Sequence, residues 1–373
     1  MQNQSQIVII GGGLAGLTAA IHLCQQGKKV VLFEKNSYPK HKVCGEFISN
    51  EVLPYFNQLG LAICHLNPTS INSTTISIVS GQTISRNLPL GGFGISRYQL
   101  DNYLYQEAIK WGCEIIHQNV NEVTFFENEF SITTENQEVF NAKIVLGAFG
   151  KRSNLDIQLK RDFIQKKSPW LAVKAHYSGD FPADLVALHN FEGGYCGVSK
   201  VENDRINICY LVKFEVFKKY KNIEEFQMNV LYQNPELKTI FEQSKLLFDK
   251  PLSISQISFE KKAQVENHLL MLGDSAGLIH PLCGNGMAMA IHSAKIASEC
   301  VISFLDNKLT REEMEKNYAL QWNHYFKNRL QTGKQLSKLL LNQSMNRILM
   351  KLLLTFPMLL TLIIRKTHGK PIS

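Results

Sequence analysis

Apolar and polar positions along the chain change their rhythm three times. At the start, residues 7–10 are an uninterrupted apolar run of strand length. Residues 14–26 then read as a helix ended by Gly27, and residues 29–33 as a second strand finishing on Glu34. A short helix is expected at residues 50–59. Between residues 69 and 95 the pattern becomes alternating, as in Thr75-Ile-Ser-Ile-Val79, with turns at Gly81 and at Gly91-Gly-Phe-Gly94. This predicts strands that leave the first unit for a second sheet and return. A helix follows from Arg97 to about Trp111, its apolar side formed by Leu100, Leu104 and Ile109.

Residues 113–117 and 143–146 read as further strands of the first sheet, with a small antiparallel meander at 120–126, 129–134 and 138–140 between them. Four strands in quick succession, at 171–177, 185–190, 194–199 and 205–211, predict an antiparallel sheet. Phe191, Tyr195 and Tyr210 within it read as core or wall. Helices at 223–232 and 234–243 and a strand at 252–259 lead to a buried strand ending on Gly273-Asp274. Helices from Gly286 to Leu305 and from Thr310 to about Asn342 come next, and the rest is rich in Leu, Ile and Met with interspersed cations. The architecture expected is α/β: a discontinuous Rossmann-like unit (residues 1–68, 96–160 and 262–320), an inserted antiparallel β-sheet domain (69–95 and 161–261) and a helical tail (321–373).

The junction of the first strand and helix carries Gly11-x-Gly13-x-x-Gly16. In such a βαβ turn the first glycine makes the tight bend, the second lets a pyrophosphate approach the backbone, and the third lets helix and strand pack closely. Leu14 and Ala15 open the helix whose N–H groups meet the phosphates. Glu34 lies 23 residues after Gly11, where a carboxylate accepts hydrogen bonds from adenosine ribose hydroxyls. A second glycine-rich helix start occurs about 260 residues later, at Gly273-Asp274-Ser-Ala-Gly277 through Gly284-Asn-Gly286-Met287. There a carboxylate at a strand end can fix ribitol or ribose hydroxyls. The N–H groups opening the helix can stabilise negative charge on a reduced flavin. Two such turns point to one extended dinucleotide.

Lys42-Val-Cys44-Gly45 and the Gly273-to-Gly286 segment together resemble the geranylgeranyl reductase family of flavoproteins, which shares its fold with the para-hydroxybenzoate hydroxylase type of FAD monooxygenase. The resemblance spans roughly residues 5–305. It implies FAD as cofactor, with Lys42, Cys44 and Gly45 beside the flavin ring, Arg97 contacting FAD, and the backbone of Val120 holding the adenine. Lys35 next to Glu34, Gly150 in the second fingerprint, and Asp274, Gly284, Gly286 and Met287 complete the expected cofactor set. Cys44 is the one candidate catalytic residue; an ordinary buried thiol is its alternative, as a plain surface arginine is for Arg97. The resemblance also implies reduction of a C=C bond in a large apolar isoprenoid or polyketide-like substrate, with NAD(P)H or ferredoxin as electron donor.

Two departures bear on this. Phe149 stands where the hydroxylases carry an aspartate, which weakens the case for NADPH docking at that surface and with it a monooxygenase. A W-x-W-x-I-P segment, the mark of halogenases, does not occur. A non-catalytic, membrane-recruited FAD-binding protein is the contrasting class. His280 and Cys283 read as packing beside Pro281.

Charge adds one feature. The chain sums to +8, but no acidic residue follows Glu315 while ten Lys and Arg do, so the preceding part carries −2. A neutral body with one cationic end is not a nucleic-acid binder. The longest uncharged run of the tail, 13 residues between Lys351 and Arg365, falls short of the roughly 20 needed to span a bilayer. Two readings of the tail stay open: packing on the body or a second subunit, or peripheral contact with anionic lipid. Eight cysteines without C-x-x-C or metal-type spacing read as reduced thiols, and no basic-then-apolar leader precedes Ile7, so a cytoplasmic protein is expected.

Overall fold

A computed structural model describes residues 3–373. The chain runs β1 (Asn3–Ile10), α1 (Leu14–Gln25), β2 (Val30–Phe33), β3 (Phe47–Ser49), α2 (Leu53–Gln58), β4 (Thr69–Ser77), β5 (Thr83–Gly94), α3 (Arg97–Lys110), β6 (Glu114–Ile116), β7 (Val120–Phe126), β8 (Glu129–Thr134), β9 (Val139–Gly147) and α4 (Asn154–Gln158). It continues with β10 (Trp170–Gly179), β11 (Leu185–Phe191), β12 (Gly194–Val201), β13 (Arg205–Lys213), α5 (Phe214–Phe217), α6 (Ile223–Asn229), α7 (Pro235–Glu242), β14 (Ser244–Leu246) and β15 (Leu252–Ser255). β16 (Val265–Glu266), β17 (Leu269–Met271), α8 (Gly286–Leu305), α9 (Arg311–Leu341), α10 (Gln343–Thr355) and α11 (Met358–Thr367) complete it.

The first sheet has the order β16-β17-β9-β1-β2-β6, with the β7–β8 hairpin attached to β9. Its centre is parallel: Ile7 faces Val30 on one side and Ile144 on the other. Strands covered on both faces need apolar side chains at every position, hence the unbroken runs at residues 7–10 and 30–33. α1 and α8 pack on this sheet and on each other, and their buried residues join one core with the sheet strands.

The second sheet, β14-β10-β13-β12-β11-β4-β5-β3 with β15 beside β10, is antiparallel except where β11 runs parallel to β4. One face of its long strands, including Val173, Tyr177, Ile208 and Tyr210, is sealed by Phe226, Leu231, Leu237 and Phe241 of the following helical segment. The opposite face, with Ala172, Tyr195 and Leu211, packs on Leu278, Ile257 and the Val43 loop. That alternation is the period-2 signal of the sequence seen in three dimensions.

Several local expectations change. Ile109 is 44 % exposed, and Ala108 takes the buried place, because one turn of helix carries Leu104 to Ala108 rather than to Ile109. Residues 138–140 and 143–146 are not separate strands but one, β9, long enough to pair with β8 near its start and β1 along its length. The strand expected over 252–259 stops at Ser255, where Gln256 takes a positive φ of 62°. β3 pairs with β5, so the chain already reaches the second sheet before residue 69, whereas α9, Arg311–Leu341, is the helix expected from Thr310 to about Asn342. Phe191 and Tyr210 are core residues, as expected, and Tyr195 is buried on the opposite face.

Candidate functional site

Three glycine-bearing turns at the carboxyl ends of neighbouring strands meet. Gly11 N–H donates to the Phe33 carbonyl (2.8 Å) and Ala148 N–H to that of Ile10 (2.8 Å), tying the β1 and β9 turns together. Gly11 has φ +107°, and a side chain there would strike the Ala148 carbonyl; Gly16 likewise lies against the Gly11 carbonyl. The third turn is held by Gly150 N–H donating to Ser275 Oγ (2.9 Å) and Gly273 N–H donating to Ser293 Oγ of α8 (2.9 Å).

Both helix starts facing this junction lack a side-chain cap. Gly13 and Asn285, the N-cap residues of α1 and α8, give no side-chain acceptor to the first-turn N–H groups. These groups, from Leu14, Ala15, Gly286 and Met287, are therefore left for an anionic or carbonyl partner. A Cβ added at Gly13 meets only Arg97 Nη2, at 3.7 Å, so the space above the turn is open. Uncapped donors and an open glycine cradle fit the pyrophosphate of FAD.

Glu34 ends β2 buried at the rim. One of its oxygens accepts from Gly12 N–H (2.8 Å), the other from Asn36 N–H (2.9 Å) and Nδ2 (2.7 Å). Tyr38 Oη donates to the Gly12 carbonyl. Arg97, at the start of α3, is not a surface arginine: its Nε and Nη2 grip Asp101 at 2.6 and 2.8 Å. Lys42 Nζ reaches the same carboxylate at 3.0 Å. Burial alone would raise the Asp101 pKa, but the two cations outweigh it and hold it below the usual range. The Cys44 thiol is half-buried and interacts with the Arg97 guanidinium. Asn207 Nδ2, on β13, donates to the carbonyls of Cys44 (3.3 Å) and Gly45 (2.9 Å), pinning this loop to the second sheet.

Next to Gly45 sits a group that no motif announced. Glu46 is fully buried; Lys174 Nζ lies 3.0 Å from one oxygen and His176 Nε2 2.6 Å from the other, and Arg97 N–H donates to the first at 2.8 Å. Burial opposes the Glu46 charge, yet these partners hold its pKa below the ordinary value. His41 packs edge-on against His176 and is pushed down to about 4, by burial first and the Lys174 charge second. His41, Glu46 and His176 lie close enough to share a cation. Lys174 already supplies that positive charge.

Among the expected residues the structure thus gathers Gly11, Gly13, Leu14, Ala15, Gly16, Glu34, Arg97, Lys42, Cys44, Gly45 and Gly150. Asp274 follows Gly273, its carbonyl accepting from Lys262 Nζ at 2.7 Å. Gly284 (φ +60°) faces Phe47 in the same region. Lys35 is exposed beside Glu34, and Val120 is a buried residue opening β7. His280 stacks on Phe259 and Cys283 is buried, as expected. Asp101, Tyr38, Glu46, Lys174, His176 and Lys262 were missed. Arg97 and Asp101 stand at i, i+4, a signal that was available. So was the pair of ionisable side chains at alternate positions 174 and 176 of an otherwise apolar strand.

An apolar cavity of about 130 Å3 has both Gly45 and Gly284 in its lining; its walls include Phe47, Leu188, Leu336, Met350, Leu353 and Leu360. It lies between the second sheet and the tail helices.

Comparison with known proteins agrees with this geometry. The chain is similar to conditioned medium factor receptor 1 of Dictyostelium discoideum, 22% identical over 356 residues that cover 85% of this chain and 67% of the relative. It is similar to digeranylgeranylglycerophospholipid reductase 2 of Methanothermobacter thermautotrophicus, 23% identical over 362 residues, 90% of this chain and 87% of that one. Its fold matches the flavin-dependent brominase Bmp2 with a TM-score of 0.82 at 18% identity, over 99% of this chain and 94% of the other. Reductases and halogenating enzymes thus both stand among its relatives at low identity, and the reductase likeness does not exclude the other. Residues 4–308, most of the length, match the FAD binding domain family, and the chain belongs to it.

Proposed function

We propose that the protein is an FAD-dependent oxidoreductase that reduces a C=C bond in a large apolar molecule, an isoprenoid or polyketide-like chain. One observation supports this reading: a mostly apolar cavity, with Thr74, Ser199, Asn346, Thr367 and His368 also in its lining, reaches Gly45 and Gly284, and its volume of about 130 Å3 admits a segment of such a chain rather than the whole molecule. When bound, FAD supplies hydride exchange with an electron donor, NAD(P)H or ferredoxin. The chain's own residues hold and orient it. The uncapped starts of α1 and α8 take its charge, Arg97 and Lys42 stay fixed by Asp101, and Asn207 of the second sheet holds the Cys44–Gly45 loop in place. Cys44→Ala is expected to retain FAD and lose turnover; unchanged turnover would make Cys44 a packing residue. Phe149, in the place of the hydroxylases' aspartate, is the feature that argues against the monooxygenase alternative. Label from molecular oxygen in the product would overturn the reductase reading in its favour. If no donor reduces bound FAD and no acceptor reoxidises it, the protein is a non-catalytic FAD binder.

The tail supports peripheral lipid contact as the way such a substrate arrives. α10 and α11 meet at a 113° bend, and their inner residues Met350, Leu353, Leu360 and Ile364 pack on Ile78, just past β4, and Ile84 of β5. Their outer surface leaves Ile348, Phe356 and Met358 exposed by 68, 58 and 79 %, with Arg347, Lys351, Arg365 and Lys366 around them. Exposed apolar side chains on a bent helix pair that also carries four exposed cations suit the surface of an anionic bilayer. The intact protein should float with phosphatidylserine-containing vesicles, and Phe356→Asp/Met358→Asp should not. If the intact protein never floats, this contact is absent.

A further inference from the structure

A second cavity, of about 1150 Å3, opens on the other side of the loop after Asp274, with Ala276, Gly277 and Leu278 in its lining. Its walls are aromatic and aliphatic: Trp170, Phe259, Trp322, Leu330 and Leu341. Its charge is one-sided, with eight lysines against a single carboxylate, Glu260. The lysines come from four parts of the chain. Lys166 and Lys167 precede β10, Lys213 ends β13, Lys261 and Lys262 lie between β15 and β16, and Lys327, Lys334 and Lys338 belong to α9. Spacings of seven and four put the last three on one helix face.

Few of these charges are compensated. Lys166 pairs with Glu260 at 2.8 Å and Lys213 meets Glu215 at 3.7 Å. Lys262 is enclosed, donates to the carbonyls of Lys151 (3.1 Å) and Asp274 (2.7 Å), and is lowered to about 8 by burial. Lys167, Lys261, Lys327, Lys334 and Lys338 have no carboxylate within ion-pair distance among the described residues. Like charges gathered around one concave, apolar-walled hollow repel each other and focus a positive potential into it. An anion relieves that repulsion. At about 1150 Å3 the hollow is too large for an inorganic ion alone and slightly exceeds the usual range of organic ligand sites, roughly 300–1,000 Å3. Its aromatic walls call for a flat or apolar body behind the charge.

We propose that this cavity binds an organic anion that carries a phosphate or diphosphate on an apolar or aromatic body, its head group on the α9 lysines and its body against Trp170 and Trp322. The site stands on its own lining and does not depend on which reaction the protein catalyses. Two sources share this chemistry: a phosphorylated nicotinamide dinucleotide serving as donor, and a phosphate-headed form of the apolar substrate.

Equilibrium dialysis of the FAD-loaded protein with NADPH, and separately with a polyprenyl diphosphate, tests the site without turnover. At least one ligand should bind, more weakly as salt rises, and Lys327→Glu/Lys334→Glu/Lys338→Glu should weaken it by about tenfold or more. These positions are exposed on α9, and FAD content reports whether the variant has folded. Should it fail to load FAD, Lys166→Glu/Lys167→Glu reads the same cavity from another segment. Binding of NADPH alone assigns the cavity to the donor, and binding of the polyprenyl diphosphate alone to the substrate head group. If both bind and compete, they share it. The proposal is overturned if neither binds, if charge reversal in the folded variant leaves affinity unchanged, or if the polyprenyl alcohol without its diphosphate binds equally well.

Discussion

The two sides of the cofactor site are built from different materials. The nucleotide side, from Gly11 to Glu34, is made of backbone: glycines too tight for a side chain, uncapped helix N–H groups, and one carboxylate at a strand end. The ring side, around Cys44 to Glu46, is made of buried charge: Glu46 with Lys174 and His176, and Asp101 with Arg97 and Lys42. A backbone cradle works by leaving space and donors free, so its substitutions should affect the ligand more than the fold. A buried charge network is satisfied only as a set, so breaking it should affect the fold first.

Gly13→Val gives the sharpest break. An added Cβ has only Arg97 Nη2 near it, at 3.7 Å, so the apoprotein should keep its stability while FAD no longer stays bound through gel filtration. A variant that remains fully loaded contradicts the phosphate role of the turn. Glu46→Ala works the other way. Removing the carboxylate leaves Lys174 buried without its partner and should cost about 3–5 kcal/mol in urea unfolding. A cost below about 1 kcal/mol would show that the network relaxes into solvent.

Acid should act next, on the buried imidazoles. His41 and His189 are lowered to about 4 and His280 and His292 to about 3, all chiefly by burial, so between pH 6.5 and those values the unfolded chain binds protons the folded one refuses, and stability falls as pH falls. Glu46 is also lowered, and its contribution is lost in the same direction once pH drops through its folded value. The melting temperature should therefore fall from pH 7 to pH 5, by roughly 2–4 °C for each kcal/mol removed. Glu46→Gln should keep the histidine part of that fall. A flat profile would mean these histidines are hydrated. Lys42→Ala comes last: Lys42 is partly exposed and Arg97 still holds Asp101, so stability should change by about 1 kcal/mol or less.

The same contrast explains what could be read from sequence. The βαβ turn is local, so its spacing alone located Gly11, Gly13, Gly16 and Glu34. The second turn at Gly273 and Gly286 was legible for the same reason, and alternation delineated the long strands of the second sheet. The ring side joins Glu46 to residues about 130 positions away, and no local pattern encodes that pairing. Only the polar side chains of Lys174 and His176, facing one way from an apolar strand, hinted at a buried partner. The tail was ambiguous for a further reason. Its helices are apolar on two faces, and which one meets protein depends on Ile78 and Ile84, remote in sequence. Ile109 and Ala108 show the smallest scale of the problem, a single position of helical phase.

If the two distant glycine turns hold one FAD molecule between them, titrating the apoprotein with FAD and following flavin absorbance and fluorescence should show saturation at one FAD per chain, lost in Gly13→Val and weakened when a side chain is placed at Gly286. A protein that stays colourless and takes up no flavin would contradict that arrangement.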